Sequence, residues 1–378
     1  MKYCKNCLDT DTRPNSIFNS YGICKACEHS ISDQKNYDKL EKLQVLNNIV
    51  KEFKKNDNNF DCIIGISGGK DSTRQALWVR DKLKLKPLLV CCSYPPEQVT
   101  EIGAKNLSNL IDLGFDTIVT SPSPQFWKKM LLEGFYQGNY LRGPELALFS
   151  SLPQIAIKYK IKLIFWGENP SKIWNDSKAK SLKEYDGNIL RNSNTLKNCD
   201  YRWMKKLSND KSKIIPYIYP SVDEFKKNKI QIIFLEWFWS DWSLTNNAKY
   251  STLNGLFLRE ESAIKSGDLY GIMALDDIWV SINQMIKYYK FGIGRATDYC
   301  NFAIRAGQLT REEAIKIVKK YDGRCDIKYI NTFCKYTGIS KKKFWNTVSR
   351  FVNKRLFKKN KNKNFPIFRP IFKIGQNS

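Results

Sequence analysis

The chain has 378 residues, is 42% hydrophobic and 13% aromatic, and carries 63 Lys and Arg against 37 Asp and Glu, a net charge of +26. That length supports one large core with a smaller unit beside it, or two domains, and excludes a small disulfide-framed scaffold. The charge admits nucleic acid, anionic lipid or phosphorylated substrates as partners, but it is spread along a chain rich in Lys, Asn and Ile rather than gathered on one arm.

At the start, Cys4-x2-Cys7 and Cys24-x2-Cys27 are separated by sixteen residues. Two knuckles of this kind bring four thiolates into a tetrahedron around Zn²⁺, and the spacing is that of a zinc ribbon. Four cysteines leave no open position, so the expected role is structural or for docking. His29, the single histidine, reads as a bystander. The opening "MKYCKNC" has no apolar signal region. The most apolar stretch, "IQIIFLEWFWSDW", contains Glu236 and Asp241 and is too short to cross a bilayer. No transmembrane segment and a cytoplasmic location are expected.

Residues 33–57 are polar and Lys-rich, with the apolar spacing of an amphipathic connecting helix. Strand and helix signals then alternate. Strand 62–67 leads to a helix from Asp71, strand 87–94 to a helix over 98–113, and strand 116–121 to a helix over 125–136. A helix over 145–160 then feeds a strand in "KLIFWGEN". Such repeats predict an α/β fold with a doubly wound parallel sheet covered on both faces. The expected organisation is a zinc ribbon over 1–34, the α/β domain over 35–245, and a mostly helical region over 246–378. The last region holds a capping box, Thr310 with Glu313, and a basic tail after residue 357 that reads as loosely ordered.

The stretch "DCIIGISGGKDSTRQALWVR" passes from a buried strand through two glycines into a helix. Gly68 and Gly69 let the backbone approach an anion and adopt positive φ, and the helix offers its free N–H groups and positive dipole end. Lys70 adds charge, and the Ser67 and Ser72 hydroxyls can donate to phosphate oxygens. The spacing is neither a Walker A loop nor a G-x-G-x-x-G turn. A short loop ending in Asp71 suits gripping the pyrophosphate of ATP during attack at the α-phosphorus, with Asp71 holding Mg²⁺. Ser93, Gly167, Glu168 and Asn169 follow strands whose carboxyl ends are where ligands sit. Ser93 is assigned to adenine or ribose, and Glu168 to orienting the incoming nucleophile or Mg²⁺. Arg142, Arg295 and Asp298 are candidates for binding a substrate carboxylate or phosphate, with an Arg295–Asp298 structural pair as the alternative. The cluster Trp237, Phe238, Trp239 and Trp242 reads as buried packing, with stacking on a sugar as the alternative.

The motif "SGGKDS" after a first strand resembles the PP-loop of the ATP pyrophosphatase superfamily, whose members have an adenine nucleotide α-hydrolase-like fold. Together, the paired CxxC opening, "GISGGKDS", "LIFWGEN" and "YYKFGIGRATDYCNFAIRAGQLTREEAIKIVKKYDG" resemble the N-acetyl sugar amidotransferase family, which includes the amidotransferase of pseudaminic acid biosynthesis. The resemblance implies ATP-dependent conversion of an acetamido group to acetamidino through an adenylated imidate. It also implies ATP and Mg²⁺ as cofactors beside Zn²⁺. With one histidine and no N-terminal cysteine to build a glutaminase site, a separate glutaminase partner is expected to supply ammonia. The rival reading is a tRNA-thiolating PP-loop enzyme, which needs cysteines near the nucleotide; "YLRGPELALFSSLPQIA" offers none, and a nucleic-acid partner is not expected. A non-catalytic nucleotide-binding scaffold is the third reading.

Overall fold

Four of the five strands of the central sheet carry Val, Ile, Leu, Phe, Trp or Cys at most positions, the composition of strands buried on both faces, and the edge strand over 117–120 is half threonine. A computed structural model describes residues 1–36, 39–54, 59–176, 183–360 and 367–377. In chain order it has α1 (Lys25–Asn36), α2 (Lys39–Phe53), β1 (Cys62–Ile66), α3 (Lys70–Asp81), β2 (Pro87–Cys92), α4 (Glu101–Asp112), β3 (Thr117–Thr120), α5 (Pro124–Tyr136), α6 (Arg142–Lys158) and β4 (Leu163–Trp166). The chain continues through α7 (Pro170–Trp174), α8 (Val222–Asn228) and β5 (Gln231–Phe234). Strands β1 to β5 form one parallel sheet in the order β3-β2-β1-β4-β5.

Alternation along the strands sends side chains to two separate cores. Ile63, Val90, Cys92, Ile164 and Ile232 pack against α5, α6 and α8. Ile64, Leu89, Cys91, Phe165 and Ile233 pack against α2, α3 and α4 on the other face. The sheet is therefore covered on both sides, as the repeating strand–helix pattern predicts. Cys91 and Cys92 fall on opposite faces, as adjacent strand residues must.

The strand order reverses at β1, so the crevice opens at the carboxyl ends of β1 and β4, the place where open parallel sheets bind ligands. Strand β5 lies in the stretch that sequence reading weighed only as a membrane segment. Among the described residues no helix is long and apolar enough to cross a membrane.

Beyond the sheet lie α9 (Leu244–Thr252), α10 (Ala263–Ser266), α11 (Val280–Phe291), α12 (Arg295–Arg305), α13 (Arg311–Tyr321), α14 (Ile327–Thr337) and α15 (Lys341–Phe351). Part of the helical region shares the sheet's core: Ile282, Phe333 and Phe344 of α11, α14 and α15 join the cluster on the α5–α6 face, while Cys300, Ala314 and Val318 of α12 and α13 form a smaller cluster with Leu8. The capping box at Thr310 and Glu313 is present. The tail corrects the sequence expectation of loose order. Strands β6 (Phe357–Asn360) and β7 (Ile367–Pro370) form an antiparallel pair. Phe357 and Phe368 bury their rings against Tyr289, which supplies the apolar anchor that a basic composition conceals. Residues 361–366 of that tail lie outside the described residues.

Candidate active site

The loop after β1 takes the shape that its glycines permit. Gly68 has φ +69°, and a Cβ there would meet the backbone of α4 at 3.0 Å from Leu107 N and 3.1 Å from Gly103 O. Gly69 differs from the expectation of positive φ: it is the extended N-cap of α3, with φ −93°. No side chain caps this helix, so its first N–H groups face the crevice end of the sheet. The Ser72 hydroxyl donates to Gly69 O at 3.1 Å, which holds the turn closed.

Lys70 and Asp71 are braced from the far end of the chain. The Lys70 ammonium sits 2.5 Å from Asp71 Oδ2 and 3.7 Å from Met273 Sδ. Asn247 Nδ2 donates to Asp71 Oδ1 at 2.6 Å, Arg74 donates to Asn247 Oδ1 at 2.6 Å, and Arg74 grips both oxygens of Asp241 at 2.7 and 2.8 Å. Ser251 donates to Lys70 O at 2.6 Å. Helix α9 thus fixes the first turn of α3. A boundary after residue 245 falls inside this helix.

Two cavities meet at the carboxyl edge of the sheet. The smaller, of about 210 Å³, is bounded by Ser67, Gly69, Asp71, Ser72, Gly167 and Glu168 at its polar end. Val90, Cys92, Leu148, Leu152, Phe165 and Trp166 make its apolar end. One end therefore suits phosphates and the other a flat base. Gln75 also lines it, one helical turn beyond Asp71 on the same face of α3. A Cβ on Gly167 would lie 2.5 Å from Gln75 Nε2 and 3.2 Å from Trp242, so a larger residue there would push the Gln75 amide out of its place beside β4.

The larger cavity, of about 660 Å³, lies between the end of the sheet, α1 and α12. A tight turn over 235–238 follows β5 and carries Trp237 to its wall, with Trp239 and Trp242 beyond. The cluster packs as the sequence reading expects, with Phe238 and Trp239 buried in the α3-side core and Trp237 and Trp242 against it, while its three tryptophans also border the cavity. Glu168 belongs to both cavities. Burial raises its carboxyl pKa to about 7, and the nearby Asp71 charge adds to the rise; Lys70 and a hydrogen bond with Trp174 oppose it.

The remaining sequence candidates sit elsewhere. Ser93 lines neither cavity, and its hydroxyl donates to Tyr94 O at 3.1 Å. Asn169 caps α7 through Ser171 N at 2.9 Å, and its amide donates to Glu184 O at 3.0 Å, so its polar atoms serve the fold. Arg142 pairs with Gln137 and Asp200. Arg295 is buried 3.5 Å from Asp268, not paired with Asp298. Asp298 instead accepts from Arg13 at 2.6 Å and pairs with Lys287, bolting the N-terminal module to α12.

In that module, bridges Tyr3–Thr10 and Phe18–Cys24 close two knuckles. The sulfurs of Cys4, Cys7, Cys24 and Cys27 lie within 4.8 Å of one another, all fully buried. Backbone N–H groups of Asp9 and Cys24 point at two of them, at 3.4 and 3.3 Å. Four converging sulfurs with amide support fit a tetrahedral zinc ion. Arg13, Asn175 and Asn301 tie the module to α7 and α12.

Two comparisons bear on these features. Residues 261–370, covering α11 to α15 and the final hairpin, match the family described as LPS biosynthesis protein WbpG-like, C-terminal domain. The chain is also similar to an uncharacterized protein, MJ1599, of Methanocaldococcus jannaschii, 33% identical over 89 residues. The match covers 23% of this chain and 31% of that protein, so the chain spans less than a third of the relative's length. The helical region is therefore similar to the C-terminal domain of proteins described as LPS biosynthesis proteins.

Proposed function

We propose that this chain is the ATP-using synthetase subunit of an amidotransferase that converts the acetamido group of an N-acetyl sugar into an acetamidino group. The carrying observation is the Ser67–Ser72 loop at the reversal point of the sheet, beside Glu168, in a chain whose helical region is WbpG-like. The acetamido oxygen attacks the α-phosphorus of ATP and pyrophosphate leaves, giving an adenylated imidate. Ammonia then adds to the imidate carbon, AMP departs with the former amide oxygen, and the amidine takes up a proton. The protein's contribution is orientation and charge neutralisation. The uncapped start of α3 and Lys70 would receive the pyrophosphate charge, and Asp71, held by Asn247, would carry Mg²⁺. Glu168 would take the proton that ammonia sheds.

Zinc held by Cys4, Cys7, Cys24 and Cys27 would close the N-terminal module, with no position open for chemistry. Ammonia would come from a separate glutaminase, because the one histidine hydrogen-bonds Glu184 rather than orienting a cysteine. The tRNA-thiolation alternative has less support. Among the described residues Cys92 is the single cysteine lining the small cavity, and burial pushes its thiol pKa up to about 12, away from a reactive thiolate.

The test follows AMP release and product mass with purified protein, Mg-ATP and ammonium, given pseudaminic acid, its nucleotide-linked form or tRNA. AMP with a sugar only, and exchange of O for NH in that sugar, is the expected outcome. Lys70→Ala and Asp71→Ala are expected to lower the rate by about 100-fold or more, as loss of a charge-stabilising group does. AMP with tRNA alone would overturn the reading.

A further inference from the structure

Adenylation and ammonia attack leave the larger cavity without an occupant, yet its wall is built for one. Trp239 Nε1 and His29 Nε2 both belong to residues of that wall, and both atoms are buried without a hydrogen-bond partner among the described residues. Trp239 is 8% exposed, so water does not supply the missing bond from bulk. Both atoms are closed off from the cavity as the side chains stand, so a ligand's hydroxyl or carbonyl would reach them through a turn of the side chain and offset the about 1–3 kcal/mol that an unpaired buried polar atom costs. The indoles of Trp237 and Trp242 add flat apolar faces of the kind that meet the C–H face of a pyranose. Lys42, Lys172 and Arg305 face Glu236, Asp241 and a Glu168 that burial keeps partly protonated near neutrality, so the lining carries little net charge, on the positive side. Such a lining suits a polyhydroxylated ligand of low charge rather than a polyanion such as RNA, and 660 Å³ is the scale of a small-molecule site. Its shared wall at Glu168 brings any occupant to the edge of the phosphate loop.

We infer that this cavity is the acceptor chamber for the acetamido sugar, and that the zinc module forms part of it by presenting His29 from α1. The inference rests on the amidotransferase reading and adds to it the place of the acceptor. It also changes the meaning of the N-terminal module, which becomes a wall of the sugar site in addition to a fold element. Trp239 and His29 act as sugar-binding groups; neither is assigned a step in bond making.

Calorimetric titration of the zinc-loaded full chain tests this. N-acetylneuraminic acid and N-acetylglucosamine serve as sugar probes, and α,β-methylene-ATP as the nucleotide probe. Trp239→Phe removes the N–H with the pyrrole part of the indole and keeps an aromatic ring; His29→Gln removes the imidazole. The expected result is a loss of sugar affinity of about 5-fold to 100-fold in either variant, with the nucleotide Kd and zinc content unchanged. If wild type binds a sugar and both variants bind it equally well, the acceptor lies elsewhere and the inference falls while the amidotransferase reading stands. If wild type binds the nucleotide but neither sugar with it, the reading fails and the inference with it.

Discussion

Glu168 shows what one residue gains from standing between two cavities. Its pKa is raised to about 7 by burial and by Asp71, so it is a weak acid poised to gain or lose a proton near neutrality. In the free protein it is protonated below pH 7, so in the proposed reaction it would act as a base only above that pH. A kcat/KM profile for sugar amidination, which reports the free enzyme, is therefore expected to rise through about pH 7. Glu168→Gln, close in shape and unable to titrate, is expected to lower kcat by about 10²- to 10⁴-fold and to remove that rise. A rise that survives in the variant would assign it to another group. Glu168 was legible because it follows a strand by one glycine, where parallel sheets present side chains to ligands. Asn169, one residue on, obeys the same rule but serves as a helix cap. The brace on Asp71 was not legible: Asn247 is 176 residues away, and no local pattern joins the two.

Elements whose signal is local were readable, and those defined by a distant partner were not. The paired cysteines close knuckles within about 25 residues, and the sheet units repeat strand, turn and helix in short compass. Strand β5 hid inside an apolar run because its pattern flows into the Trp-rich turn without a break. The β6–β7 hairpin hid under a lysine-rich composition because its stabilising contacts come from Tyr288 and Tyr289 of α11. The N-terminal cysteine module carries a prediction at the scale of an element. Cys4, Cys7, Cys24 and Cys27 bury four sulfurs together, and structural zinc in such a site supplies folding energy directly. One zinc per chain is expected by metal analysis. Cys24→Ser is expected to abolish it and to lower the melting temperature, because Arg13 and Leu8 then lose their fixed contacts with Asp298 and Asn301. A variant with full zinc content would exclude this ligand set.

At the scale of the whole molecule, the net charge of +26 might suggest that stability rises with pH as positive charge is neutralised. The composition argues otherwise between pH 6 and 8. The chain has one histidine, and an ordinary lysine side chain titrates well above this range, so the general repulsion hardly changes there. What does change is a set of carboxyls held protonated by the fold. Burial raises Glu145 to about 8 and Glu168 and Asp276 to about 7, with Asp71 adding to the rise at Glu168 and Asp277 at Asp276. Raised carboxyls bind more protons in the folded state than in the unfolded state, so stability falls as pH climbs from the unfolded pKa through the folded one. Depressed carboxylates such as Glu184, which accepts from His29, act oppositely, but their contribution is complete well below pH 6. Chemical denaturation of the zinc-loaded protein is therefore expected to show lower stability at pH 8 than at pH 6. The three carboxyls retain some access to water, so the low end of about 1–3 kcal/mol each applies. Glu145→Gln with Asp276→Asn is expected to flatten the slope, since both groups then carry no charge in either state. A stability that rises over this range in wild type would mean that the field of the whole chain outweighs its buried acids.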